Sequence, residues 1–229
     1  MEFGKKGFKS SDAKLVAKAV LKTLAVFHAE GIVHTDVKPD NILVNCGSNG
    51  QRFSDIKLAD CAASRHIDTV DESQVIGATI FRSPEAMFNL VWGTATDIWS
   101  LGATLISLIY GDHWHIFKPV GVSAEDSTYS IEVFRRHNQF FGPFPLSYES
   151  LLDDDRLGML TDIISIADKY TLFRRASSTE ISNSDRDFIC TMMHLDPRDR
   201  PSAEELLQDQ WFREHSLPYS ESHPEKDTL

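Results

Sequence analysis

Cysteine is scarce in this chain: Cys46, Cys61 and Cys190 stand far apart, and no C-x-x-C pair occurs. An odd number at that spacing gives neither a disulfide framework nor a zinc site, so a reducing compartment, cytoplasm or nucleus, is expected. Positive charge is also short. Lys and Arg number 23 against 34 Asp and Glu, a formal charge of −11, which argues against a nucleic-acid or anionic-membrane surface because phosphate backbones select basic faces. No run approaches the roughly eighteen apolar residues of a membrane span, and the opening MEFGKKGFKSSD lacks the apolar stretch of a secretory signal.

What is present is ordinary globular material. Of the 229 residues 41% are hydrophobic, enough for one substantial core. From about Asp12 to Ala29, apolar residues at Leu15, Val16, Ala19, Val20, Leu24 and Phe27 predict a helix with one buried face, ended by Gly31. GIVH, NILVN and DIKLAD are short strand-like runs, and ATDIWSLGATLISLIYG is apolar almost all round after Asp97, as a central helix is. PSAEELLQDQWF has the Pro, Ser and acidic first turn of a helix start. The stretch from 112 to 180 reads as short helices joined by loops. Residues 1–11 are expected to form a lead-in, 12–213 a single domain and 214–229 a flexible, solvated tail, and no internal repeat is evident.

Between the first two strand-like runs lies HTDVKPDN, residues 34 to 41, which combines an acid, a lysine, a proline turn and an amide. HTDVKPDNILV resembles the catalytic loop of eukaryotic protein kinases, H-R-D-x-K-P-x-N. Further motifs follow in that family's order. Asp60 in LADCA stands where its D-F-G aspartate stands, Ser83-Pro84-Glu85 matches A-P-E, DIWSLG opens its long central helix, and DPRDRPSAEELL matches its closing helix. The resemblance covers about residues 12 to 213.

That resemblance implies a mainly α fold with short β-strands, the C-lobe of a protein kinase built around a buried central helix. It also implies a serine/threonine kinase that uses ATP and Mg2+ on a protein substrate. Phosphoryl transfer passes through a loose anionic transition state, so such a protein chiefly positions groups and offsets charge. By resemblance, Asp36 takes or orients the hydroxyl proton, Lys38 offsets charge on the transferring group, and Asn41 and Asp60 are hard oxygen ligands for magnesium. Lys38, Asn41, Leu43 and Asp60 are the implied nucleotide-binding residues, Leu43 as an apolar floor under adenine. The implied architectural residues are His34 packed near Asp60, Asp97 accepting backbone N–H groups of the catalytic loop, Trp99 in the core, and Glu85 paired with Arg200. His113 and His115 in GDHWHIF lack a third metal ligand and read as part of an aromatic loop.

The chain departs from the family at several places. Thr35 replaces an arginine that grips a phosphorylated activation segment in many kinases; a hydroxyl cannot make that bidentate contact, so control through phosphate at Ser64, Thr69 or Ser73 is not expected. Cys61 and Ala62 replace the phenylalanine and glycine of D-F-G, a weaker apolar stack on a less flexible backbone. Ala78 stands where serine/threonine-specific kinases keep a threonine. Arg82 and NQFFGPFPLSYESLLDDD resemble features of the CMGC branch. The 33 residues before His34 contain no glycine-rich loop, V-A-I-K lysine strand or glutamate-bearing helix. Three explanations stand side by side: a fragment or truncated gene model, a separate N-lobe-like partner chain that supplies the missing half, or a stand-alone lobe. The alternative to a kinase is a catalytically silent, pseudokinase-like binding or scaffold module.

Overall fold

The computed structural model describes residues 7–48, 52–70, 74–165 and 170–213. The expected tail and Ser73 lie outside the described residues. The first helix, α1 (Ser10–Ala29), starts two residues before the expected boundary and buries Ala13, Val16, Ala17, Val20, Leu21 and Leu24. That stripe recurs at three- and four-residue steps, which keeps it on one side of a 3.6-residue helix. Leu15, expected on the buried face, is 48% exposed, because at 100° per residue it falls on the side opposite Ala13 and Val20.

Strand β1 (Ile32–Val33) follows α1, then β2 (Ile42–Cys46), β3 (Phe53–Leu58) and β4 (Arg65–His66). They form two separate two-stranded antiparallel ribbons, β1 with β4 and β2 with β3. Val33 faces Arg65, Ile42 faces Leu58, and the β2–β3 register shifts at Asn45 and Cys46. Two strands cannot bury a face by themselves, so both ribbons depend on helix packing. Here α1 lies against β1 and β3.

A single turn, α2 (Pro84–Met87), precedes α3 (Ala95–Tyr110), the centre of the molecule. Every α3 residue from Thr96 to Ser107 is buried, which matches its nearly continuous apolar run. Trp99 is fully buried and stacks on Phe117, ring centroids 5.5 Å apart. The remaining helices are α4 (Tyr129–Phe141), α5 (Asp154–Ser165), α6 (Asn183–Met192) and α7 (Ala203–Leu207). The closing segment is thus shorter than one continuous helix. A Ser202–Glu205 capping box starts α7, and Asp209 accepts the Trp211 N–H to open a separate turn. No helix among the described residues is long and apolar enough to cross a membrane. The fold is mainly helical with short strands, arranged around one buried central helix.

Candidate active site

The loop from His34 to Asn41 leaves β1 and is fastened from below by α3. The Asp97 carboxylate, in the first turn of α3, accepts the backbone N–H of His34 at 2.8 Å on Oδ2 and that of Thr35 at 2.9 Å on Oδ1. His28 of α1 adds a third contact, its Nε2 lying 3.0 Å from Oδ2. Asp97 is fully buried, so these partners offset the desolvation of its charge.

Thr35 has a φ of 71°. A β-branched residue is a genuine outlier in the left-handed region, and such strain is held only where neighbours over-determine it. Here the neighbours are Asp97 on the Thr35 N–H and the Ala63 carbonyl, which accepts from Thr35 Oγ1 at 3.0 Å. The reversal at Thr35 lets the next residues face a common point.

At that point Asp36 is held on both oxygens. Lys38 Nζ lies 2.7 Å from Oδ2 and Asn41 Nδ2 donates to the same oxygen at 2.9 Å, while the Ala78 N–H approaches Oδ1 at 3.3 Å. Asn41 Nδ2 also donates to the Asp36 carbonyl at 2.8 Å, and Pro39–Asn41 forms one tight helical turn between them. With Nδ2 so engaged, Oδ1 is the Asn41 atom suited to a hard cation.

Asp60 is brought alongside through the main chain. The Ala59 N–H donates to the Asn41 carbonyl at 2.8 Å, the Ala59 carbonyl lies 3.0 Å from His34 Nε2, and Asp60 itself is left-handed at φ 62° and exposed. A carboxylate and an amide oxygen flanking the paired ends of β2 and β3 are hard donors that fit magnesium, which keeps several waters besides its protein ligands. Leu43, on β2 opposite Lys57, is 58% exposed, and Val44 beside it is 43% exposed.

The family model for the protein kinase domain matches residues 2–212. The chain belongs to the protein kinase family. Among curated relatives of this kinase domain, the calcium/calmodulin-dependent protein kinase cmkA of Emericella nidulans is 26% identical over 226 residues, 98% of this chain and 44% of the relative. The serine/threonine-protein kinase US3 homolog of varicella-zoster virus is 28% identical over 214 residues, 91% of this chain and 52% of the relative. The chain therefore spans about half the length of these two relatives. Its fold is similar to a chain in the crystal structure of the yeast RNA Pol II CTD kinase CTDK-1 complex, with a TM-score of 0.70, 21% identity, and coverage of 92% of this chain and 65% of that one.

Within the kinase domain, several contacts were not legible in the motif. Gly77 has a φ of +56°, and a Cβ there would lie 2.6 Å from the Thr35 carbonyl. Only glycine fits that approach, which carries the next amide, Ala78, to Asp36. Arg82 fastens the same loop, Nε to the Ile76 carbonyl at 2.7 Å and Nη2 to the Gly77 carbonyl at 3.0 Å. The signal available in sequence was the pair Gly77 and Arg82 on either side of a short apolar stretch. Cys61 is exposed and adds nothing to the core. The His34 ring instead stacks near Phe27, centroids 6.3 Å apart. His113 and His115 join no group of three metal-capable side chains among the described residues. Burial and then Lys118 push the His115 imidazole below its ordinary pKa, against the opposing field of Asp40, and Trp114 stacks on Tyr110 at 4.6 Å.

Proposed function

We propose that this domain catalyses transfer of the γ-phosphoryl group of ATP to a serine or threonine hydroxyl of a protein. The observation that carries the reading is the Asp36 carboxylate, held by Lys38, Asn41 and the Ala78 amide within one residue of main-chain contact from Asp60. A lobe used only for binding has no physical need for that set.

In the proposed reaction the substrate hydroxyl oxygen bonds to the γ-phosphorus as the bridging oxygen bond to ADP breaks, and the hydroxyl proton passes to Asp36. Lys38 lies close enough to Asp36 to hold its charge in place and to face the transferring group, where its ammonium offsets developing negative charge. Asn41 Oδ1 and Asp60 would hold magnesium, which when bound neutralises phosphate charge. Fixing Thr35 and Gly77 in left-handed backbone sets the carboxylate before substrate arrives, so little reorganisation remains at the moment of transfer. Leu43 presents an exposed apolar face on the nucleotide side, suited to adenine and to a covering lobe carried by the same polypeptide or by a separate chain. A CMGC-like affiliation belongs to the proposal and is supported by the Arg82 fastening of the 76–78 loop.

That exposed face also favours a second reading, a silent module that binds a partner there. Phosphate transfer to a mixed protein substrate, followed by phosphoamino-acid analysis, separates the two. The kinase reading predicts phosphoserine and phosphothreonine, falling on the order of 100-fold or more with Asp36→Asn. Phosphotyrosine alone, or an unchanged rate in Asp36→Asn, would overturn it.

A further inference from the structure

A different surface, on the segment between α5 and α6, carries the sequence LFRRASSTE, residues 172 to 180. Phe173 at one end and Ile181 just beyond the other are buried, which anchors the segment at two points. Between these anchors Arg174, Arg175, Ser177, Ser178, Thr179 and Glu180 are exposed. We infer that Ser177 is a phosphorylation site for an arginine-directed protein kinase, and that Arg186 of α6 receives the phosphate.

The first half of the inference rests on charge and access. Kinases discriminate among substrates by charge pattern. An acidic substrate cleft selects a serine preceded by arginines because a guanidinium forms bidentate, charge-assisted bonds with carboxylates. Here two adjacent arginines stand two and three positions before Ser177, in a chain whose net charge is −11. Among the described residues Ser177 Oγ is engaged only with a neighbouring hydroxyl, Thr179 Oγ1 at 2.7 Å, an exposed and weak contact. The flanking backbone forms no ladder: Ser177 O accepts from Glu180 and Ile181 N–H in a local turn. Detaching such a turn sacrifices, between the two anchors, only the core contact of the half-buried Ala176.

The second half rests on Arg186. Its Nη1 donates to the Ala176 carbonyl at 3.1 Å and to Asn183 Oδ1 at 3.0 Å, so the guanidinium already sits beside the residue before Ser177. Nε and Nη2 share a single carboxylate oxygen of Asp187, which is exposed. A phosphoserine carries nearly two negative charges and three acceptor oxygens, and so competes well against one exposed carboxylate. Arg174 lines a surface cleft together with Cys190 of α6. In the transfer, ATP supplies the phosphoryl group, the Ser177 Oγ–P bond forms as the bridging oxygen bond to ADP breaks, and the hydroxyl proton leaves to the modifying enzyme's base.

The test uses the full chain carrying Asp36→Asn, so that every phosphate comes from the added enzyme and the result is independent of the activity proposed above. The chain is incubated with MgATP and a purified arginine-directed kinase, then mapped by mass spectrometry. One phosphate is expected at Ser177, absent in Ser177→Ala and reduced at least 10-fold in the double variant R174A/R175A. Phosphorylation should raise the melting midpoint by about 2 °C or more, and Arg186→Gln should remove that rise. Phosphate on Ser178 instead, equal labelling of the double variant, or labelling of a free 172–182 peptide but not of the folded chain would overturn the site. A labelled chain with no rise in its melting midpoint would overturn the role of Arg186.

Discussion

The Arg200 guanidinium meets the Glu85 carboxylate in a two-pronged pair, Nη1 to Oε1 at 2.7 Å and Nη2 to Oε2 at 2.8 Å, with both side chains essentially without solvent contact. The pair joins α2 to the turn before α7 across 115 residues of chain, and Arg200 also donates to the carbonyls of Ala95, His194 and Leu195. Removing one partner leaves the other charge buried and unpaired. Glu85→Ala is therefore expected to lower unfolding free energy by roughly 3–5 kcal/mol, measured by urea denaturation. A loss below about 1 kcal/mol would mean that water reaches the pair.

Gly77 links fold to chemistry. Gly77→Ala places a methyl group 2.6 Å from the Thr35 carbonyl in a backbone conformation that alanine resists. The loop must move, and with it the Ala78 amide. The expected outcome is a phosphotransfer rate lowered about 10-fold or more with a cooperative melt retained, read from kcat alongside circular dichroism. Full activity in this variant would show that the Ala78 contact to Asp36 is incidental.

How far the architecture could be read in advance depended on whether one local signal was enough. The central helix was legible because its run is apolar almost all round after Asp97, and a helix without a polar face has to be buried, as Thr96 to Ser107 are. Asp97, Glu85 and Arg200 were legible because the ordered motifs implied their partners, and Trp99 because they implied a core position; the contacts and its burial agree. The left-handed backbone at Thr35 was not, since nothing in a β-branched side chain announces positive φ and only tertiary contacts to Asp97 and Ala63 hold it there. Leu15 was misplaced by counting apolar residues without their angular positions. The His28 contact to Asp97 joins residues 69 apart, a separation that periodicity cannot report.

The stretch from Ala63 to Thr69 is tied to the catalytic loop, to β1 and to itself by direct hydrogen bonds. Thr35 donates to the Ala63 carbonyl, β4 pairs with β1, and Thr69 Oγ1 donates to the His66 carbonyl at 2.7 Å. Replacing Ser64, Thr69 and Ser73 together by alanine should leave phosphotransfer within about 3-fold of the parent, well under 1 kcal/mol in barrier height. A collapse of activity would show that phosphate does control the segment.

His137 is wholly buried among the rings of Trp99, Phe117 and Phe134, and neither ring nitrogen has a hydrogen-bond partner among the described residues. Burial first, then the positive charges of Arg200 and Arg82, hold its pKa well below 6.5. Below about pH 6.5 the unfolded chain binds a proton that the folded chain refuses, so stability falls as pH drops. His137→Phe should flatten the decline in melting midpoint between pH 7 and pH 5, and an unchanged slope would exclude His137 as its source.

The most direct test of the nucleotide half-site is the thermal midpoint of the 229-residue chain with and without MgATP, in the parent, Asp60→Asn and Asp36→Asn. Ligand at about 100 times its Kd stabilises the native state by roughly 2.7 kcal/mol, a rise of several degrees. That rise is expected in the parent and in Asp36→Asn, which keeps the metal ligands, and it should vanish in Asp60→Asn. No rise in a cooperatively melting parent, or an equal rise in Asp60→Asn, would contradict the assignment of Asp60 and Asn41 to metal and nucleotide.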